Sequence, residues 1–313
     1  MTEQQEHRAV FDATVTFSNG GGLTAEGFRV DVPGPEVDQA QVAELFLASL
    51  GLLLSGQVEI RGLRVVPEQH RGTRGGPSAP AAAPETSGWR YFELSHPISD
   101  GMVTYPGLPA PQITPHLSRA ASRAVYAPGT EFTIDRISMV GNTGTYLDSP
   151  YHRYPDGADL AQLALDRLVD LPAVVARTAG AGSRAVDVGA LAALDVAGRA
   201  VLLHTGGDAQ WGTPEYAQDA PYLTENAARW LVAHDARLVG IDAVNIDNAD
   251  PAADGTRPAH TLLLAAGIPV VEHLTGLAQL PPHRARFTAA PPRIIGFGTF
   301  PVRAYAAVPD TTS

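Results

Sequence analysis

The stretch Ser138-Met139-Val140-Gly141-Asn142-Thr143-Gly144-Thr145-Tyr146-Leu147-Asp148-Ser149-Pro150-Tyr151-His152 runs on into Arg153-Tyr154-Pro155-Asp156-Gly157 and holds the densest reactive chemistry in the chain. An amide (Asn142), a phenol (Tyr146), a carboxylate (Asp148) and an imidazole (His152) follow one another at short intervals. Phe132 to Val140, just ahead of and overlapping this segment, reads as a strand. Groups of these types converging on one pocket suit proton transfer at a carbonyl.

Working outward, the composition removes whole chemistries. The chain has 313 residues and Cys 0, and no Lys occurs, so all 22 basic residues are Arg. That excludes a thiolate nucleophile, a disulfide, an iron–sulfur cluster and a Cys-ligated zinc. It equally excludes a Schiff base, a lysine general base and a phosphate-binding lysine. A formal net charge of -11 argues against a nucleic-acid partner. The apolar run Leu45 to Leu54 is broken by Ser49 and Gly51 and is too short for a membrane span, and Met1 to Glu6 is polar and acidic, unlike a secretory signal. No Gly-x-Ser-x-Gly elbow or Gly-rich nucleotide fingerprint occurs. The expectation is a cytoplasmic protein acting on a small molecule, with no nucleic acid and no membrane.

His70 to Pro84 is Gly, Pro and Ala with little to bury, a linker composition. We expect a small module over 1–70, a linker over 71–88 and the main domain over 89–313. In the small module, Val10 to Phe17 and Gly27 to Val32 alternate as strands around Gly20-Gly21-Gly22, Asp38 caps a helix carrying Val42, Leu45, Phe46 and Leu50, and Val58 to Val66 is a last strand. This ββαβ-like α+β unit reads as a packing or assembly module, with carrier-protein docking as the alternative. In the main domain, strands are expected at Leu171 to Ala176, Ala200 to His204, Leu238 to Ile241, Pro269 to Glu272 and Arg293 to Phe297. Pro172 assigns the first of these to an edge, or to a start just after it. Helices are expected at Asp187 to Leu194, Thr224 to His234 and Pro258 to Ala266, with a short turn after Glu272. The class is α/β.

The opening segment resembles the signature of the cyclase family that includes kynurenine formamidase and isatin hydrolase, H-x-G-T-H-x-D-x-P-x-H. Gly144, Thr145, Asp148, Pro150 and His152 match it. Glu93 to Met102, Tyr105-Pro106-Gly107, His204-Thr205-Gly206, Gly240-Ile241-Asp242, His260, Gly267 to Glu272 and Pro301 to Ala304 resemble further landmarks in the same order, so the likeness runs from Trp89 to Val308. It implies a swivelling β/β/α fold and a homo-oligomer, a dimer or tetramer. It also implies a divalent metal held by two histidines and an aspartate, but this chain has Asn142 and Tyr146 at the histidine positions. An amide oxygen is a poor ligand for zinc or manganese, and a phenol ligates well only once ionised.

The resulting expectation is metal-independent acid/base ring closure, dehydration or isomerisation of a carbonyl-rich, polyketide-like intermediate. Tyr146, Asp148, His152, Glu272 and His260 would carry the chemistry, and Asn142, Tyr105 and Trp211 would bind the substrate. The alternative is a zinc- or manganese-dependent amidase or lactamase with Asp148, His260 and Glu272 as ligands. A non-catalytic binding protein is the third reading. His96, His116, His234, His273 and His283 are read as surface or hydrogen-bonded core residues. Asp242, Asp247, Asp250 and Asp254, interleaved with Asn245 and Asn248, lack the spacing of a calcium loop and are read as a polar loop beside the pocket.

Overall fold

The computed structural model describes residues 6–17, 21–50, 55–68 and 88–310. The expected linker up to residue 87 and Gly20 of the expected Gly20–Gly22 turn lie outside them. Two units separate, Met1–Glu85 and Thr86–Ser313.

In the first unit, β1 (His7–Phe17) pairs antiparallel with β2 (Gly22–Val32) and β3 (Ser55–Pro67), in the order β2-β1-β3. Ala9, Phe11, Ala13 and Val15 alternate onto one face, against α1 (Gln39–Leu50), which contributes Val42 and Phe46. Phe46 meets Phe11 and Phe28 edge-on, at ring separations of 5.5 and 4.8 Å. Asp38 caps this helix as expected, its Oδ1 accepting from the Gln41 N–H at 2.8 Å.

The second unit is built on a nine-stranded mixed sheet. Its strands are β4 (Trp89–Glu93), β7 (Tyr146–Asp148), β8 (Leu171–Arg177), β10 (Ala200–His204), β12 (Leu238–Ile241), β13 (Val270–Glu272), β14 (Ala285–Thr288), β15 (Thr299–Pro301) and β16 (Tyr305–Pro309). The spatial order is β15-β7-β13-β12-β10-β8-β14-β16-β4. β13, β12, β10 and β8 run parallel, and the others join antiparallel. β5 (Gln112–Leu117) and β6 (Ile134–Ser138), with the single-turn α2 (Arg119–Ser122) between them, form an exposed ribbon, and β9 (Ala185–Val186) pairs with β11 (Tyr222–Leu223).

The parallel strands are apolar up to the Arg177, His204 and Glu272 that end three of them, because both faces are covered. Val174, Val201, Leu203, Val239 and Ile241 pack against α3 (Glu225–Ala233) and α4 (Pro258–Ala265). Val175, Leu202, Leu238 and Val271 pack on the other side, with Leu147 and Phe287.

Three expectations are corrected. β8 is an interior strand, and it tolerates Pro172 because its ladder with β10 begins only at Ala173. Arg293 to Phe297 is a loop, tied by the Gly296 N–H to Asp159 (2.7 Å) with Ile295 86% exposed, and the strand begins at Thr299. Asp187 to Leu194 makes only a 3₁₀ turn, at Val188–Ala190. Among the described residues, no helix is long and apolar enough to cross a membrane.

Candidate active site

Register assembles the site. β7 lies between β13 and β15, which sets Tyr146 opposite Glu272 and Asp148 opposite Thr299. The two-residue period puts Tyr146 and Asp148 on one face and sends Leu147 into the core. Gly144 turns the chain into β7 at φ 65°, where a Cβ would also come within 3.1 Å of Ile98. A 3₁₀ turn, Pro150–His152, then carries His152 back over Asp148, and Gly298 allows β15 to pass so close that a Cβ there would sit 2.7 Å from the His152 backbone. His260 arrives on α4. Asp247 accepts from the Ala259 and His260 N–H groups at 2.6 and 3.1 Å, satisfying the start of that helix, and also holds His260 Nδ1 at 2.7 Å.

One half of the site is sealed. The Tyr146 hydroxyl donates to Glu272 Oε2 at 2.7 Å, and its oxygen lies 3.3 Å from His273 Nε2. Because the phenol proton goes to Glu272, His273 donates from Nε2, and its Nδ1 accepts from the Tyr216 hydroxyl at 2.8 Å. Burial keeps His273 neutral, its pKa pulled down to about 3. Burial, then the charges of Glu272 and Asp148, push Tyr146 well above the usual phenol value, so it remains a donor.

The other half is open. Thr299 gives its hydroxyl proton to Asp148 Oδ1 and lies 2.7 Å from His152 Nδ1. His152 therefore donates from Nδ1, which leaves Nε2 outside this hydrogen-bonded pair. A cavity of about 670 Å³ lies over His152 and His260.

Between the halves, His260 Nε2 stands 3.5 Å from both Asp148 Oδ2 and Glu272 Oε1. Burial opposes a charge on this imidazole, but Glu272, Asp148 and Asp247 outweigh it and raise its pKa to about 10. Glu272 is raised, chiefly by burial. Asp148 is held below the usual carboxylate range, since His260, His152 and Thr299 overcome its burial. Of the two carboxyls, Glu272 is therefore the one with raised proton affinity.

The donor set fits a divalent metal. Ligand atoms of Asp148, His152 and His260 lie within 4.8 Å of one another. His260 has its remote nitrogen fixed by a carboxylate, the usual outer support of a metal-bound imidazole. His152 thus joins the set that the sequence reading confined to Asp148, His260 and Glu272.

Of the eight expected site residues, Tyr146, Asp148, His152, His260 and Glu272 are brought together. Asn142 acts on the Tyr146 phenol, where it opposes the rise in its pKa, and does not line the cavity. Tyr105 and Trp211 pack with Tyr216 in an apolar cluster, Trp211 edge-on to His273 at 5.5 Å and stacked on His96 at 3.9 Å, and do not line that cavity. His273 is the hydrogen-bonded core residue expected, yet it touches Tyr146. Asp247 and Thr299 were missed as site residues. The polar loop is bound internally: Asp242 holds Thr205 and Gly206, Asp247 holds His260, and Asp250 caps a 3₁₀ turn.

The Cyclase family model matches residues 92–248. Kynurenine formamidase of Sphingopyxis alaskensis is 29% identical over 217 residues, 69% of this chain and 96% of the relative. That of Geobacillus thermodenitrificans is 25% identical over 215 residues, 68% of this chain and 95% of the relative. Isatin hydrolase A from Ralstonia solanacearum shares the fold with a TM-score of 0.60 at 25% identity, covering 70% of this chain and 92% of that one. A protein described as a potential metal-dependent hydrolase with cyclase activity gives 0.56 at 26% identity, covering 70% and 98%. These relatives are hydrolases by name, which favours the hydrolytic alternative over a lyase or isomerase. The chain belongs to the Cyclase family, a family of enzymes.

Proposed function

We propose that this protein is a hydrolase of an N-acyl or cyclic amide, with its reaction centre at Asp148, His152, His260 and Glu272. The observation that carries this reading is the convergence of two imidazoles and two carboxylates beneath a cavity large enough for a small ring compound. In the reaction, water oxygen bonds to the acyl carbon, the C–N bond breaks, and a proton passes to the nitrogen. Asp148, His152 and His260 would hold the divalent cation, which when bound polarises the carbonyl and acidifies water. Glu272 faces the same point from Oε1, and its raised proton affinity suits it to take the proton from water and return it to the leaving nitrogen. Asp247 keeps His260 in the tautomer that aims Nε2 inward. Tyr146 is a positioning residue that fixes Glu272 through Oε2.

The test is turnover of isatin and of an N-formyl aniline by protein loaded with zinc or manganese. Loss of activity with EDTA and its return with the metal supports the reading, and no turnover under any loading overturns it.

A second reading is ring closure of a carbonyl-rich intermediate without metal, and Asn142 and Tyr146 at the family's histidine positions favour it. There His152 Nε2 is the base, and the His260 imidazolium balances charge that develops on the substrate oxygen. Full activity in EDTA-treated protein with no metal by elemental analysis selects it.

A further inference from the structure

The cavity over His152 and His260 is also lined by Arg153, Arg229 and Arg257. Among the described residues its only lining carboxylate, Glu225, is already paired with Arg229 at 2.6 Å along α3. Arg257 spends Nη1 on the backbone carbonyls of Thr256 and Asn248, at 2.8 and 3.3 Å, and Arg153 lies over the Tyr154 ring at 5.6 Å. Among the described residues, neither of these two guanidinium groups has a carboxylate partner. A chain with formal net charge -11 thus lines the cavity over its own reaction centre with two cations that no carboxylate among the described residues neutralises. A guanidinium presents a planar fork that matches an oxyanion in two hydrogen bonds, and Arg carries that charge at every working pH.

We propose that Arg153 and Arg257 form an anion-binding subsite and that the substrate is a carbonyl compound bearing an oxyanion remote from the reacting bond. This deepens the amide-hydrolase reading and rests on it for the identity of the reacting bond. The oxyanion comes either from a carboxylate on a free small molecule or from the phosphate of a carrier arm.

Two measurements on the full chain test this, with Arg153→Gln/Arg257→Gln compared against the wild type at equal thermal midpoint. The first is calorimetric binding of phthalate and of inorganic phosphate. Binding to the wild type that weakens about tenfold or more in the double variant supports the subsite; phthalate as the tighter ligand indicates a carboxylate, and phosphate as the tighter indicates a carrier arm. No binding of either anion to the wild type, or equal binding to the variant, overturns it. The second is the ratio of kcat/KM for 2-formamidobenzoate to that for formanilide, which falls about tenfold or more in the double variant. An unchanged ratio overturns the specificity role. If the anions bind through the arginines but neither amide is hydrolysed, the subsite stands and the amide-hydrolase reading falls.

Discussion

The two halves of the site are built from similar groups and put to different use. On the sealed side, Tyr216, His273, Tyr146 and Glu272 form one directed chain of hydrogen bonds, in which each donor has a single acceptor. On the open side, Asp148 and His152 meet through Thr299, and His152 keeps a free Nε2 under the cavity. A buried polar chain of this kind is stable only when every member is paired, so the sealed side is rigid by necessity. The open side has unspent donors and acceptors, which a substrate or a cation needs. Burial therefore assigns support to Tyr216, His273 and Tyr146, and Glu272 joins the halves: its Oε2 ends the sealed chain and its Oε1 faces His260.

The largest expected effect is on the seam between them. Asp148→Asn or His260→Gln removes a group facing the reaction centre, and kcat/KM falls by roughly 10²- to 10⁴-fold, with loss of bound metal by elemental analysis. A loss below tenfold in both variants breaks the assignment of reaction to that seam. Asp247→Asn comes next. It leaves every group at the centre in place but loosens the His260 tautomer, so activity or metal affinity drops by about 10- to 100-fold. A loss as complete as that of Asp148→Asn would show that Asp247 does more than orient the ring.

How much of this was legible beforehand follows the same division. Ala200 to His204 and Leu238 to Ile241 were readable to the residue, because a parallel strand covered on both faces is an apolar run, here closed by His204 in the first. Arg293 to Phe297 misled for the converse reason: the Ile294-Ile295 pair is apolar, but Ile295 faces solvent. Asp148, His152, His260 and Glu272 were legible from motif order. Asp247, Thr299 and the two cavity arginines were not, because their roles come from strand register and from the path of the loop ahead of α4, which no local pattern encodes. The packing of Tyr105 and Trp211 with Tyr216 was not legible either, because an aromatic residue near a motif reads alike whether it lines a cavity or fills a core.

A smaller effect is expected on the sealed side. Tyr146→Phe keeps the packing but leaves Glu272 Oε2 and His273 Nε2 without their partner, at a cost of about 1–3 kcal/mol in stability. Urea unfolding reads that cost, and the activity lost is well below that of Asp148→Asn. If Tyr146→Phe instead abolishes turnover with stability intact, the phenol takes part in the reaction and the division of labour fails.

The smallest effect is a slope. His273 has a folded pKa of about 3 against 6.5 for an ordinary histidine. Above pH 6.5 the ring is neutral in both states, so it adds no pH dependence. As pH falls below 6.5, the unfolded chain binds a proton that the folded chain refuses, and stability declines until about pH 3. The thermal midpoint should therefore fall more steeply between pH 6.5 and about 4 in the wild type than in His273→Gln, even though the variant starts lower for lack of its hydrogen bonds to Tyr216 and Tyr146. Parallel slopes would mean that His273 accepts a proton while folded. The sealed half would then admit charge, and its contrast with the open half would reduce to one of access alone.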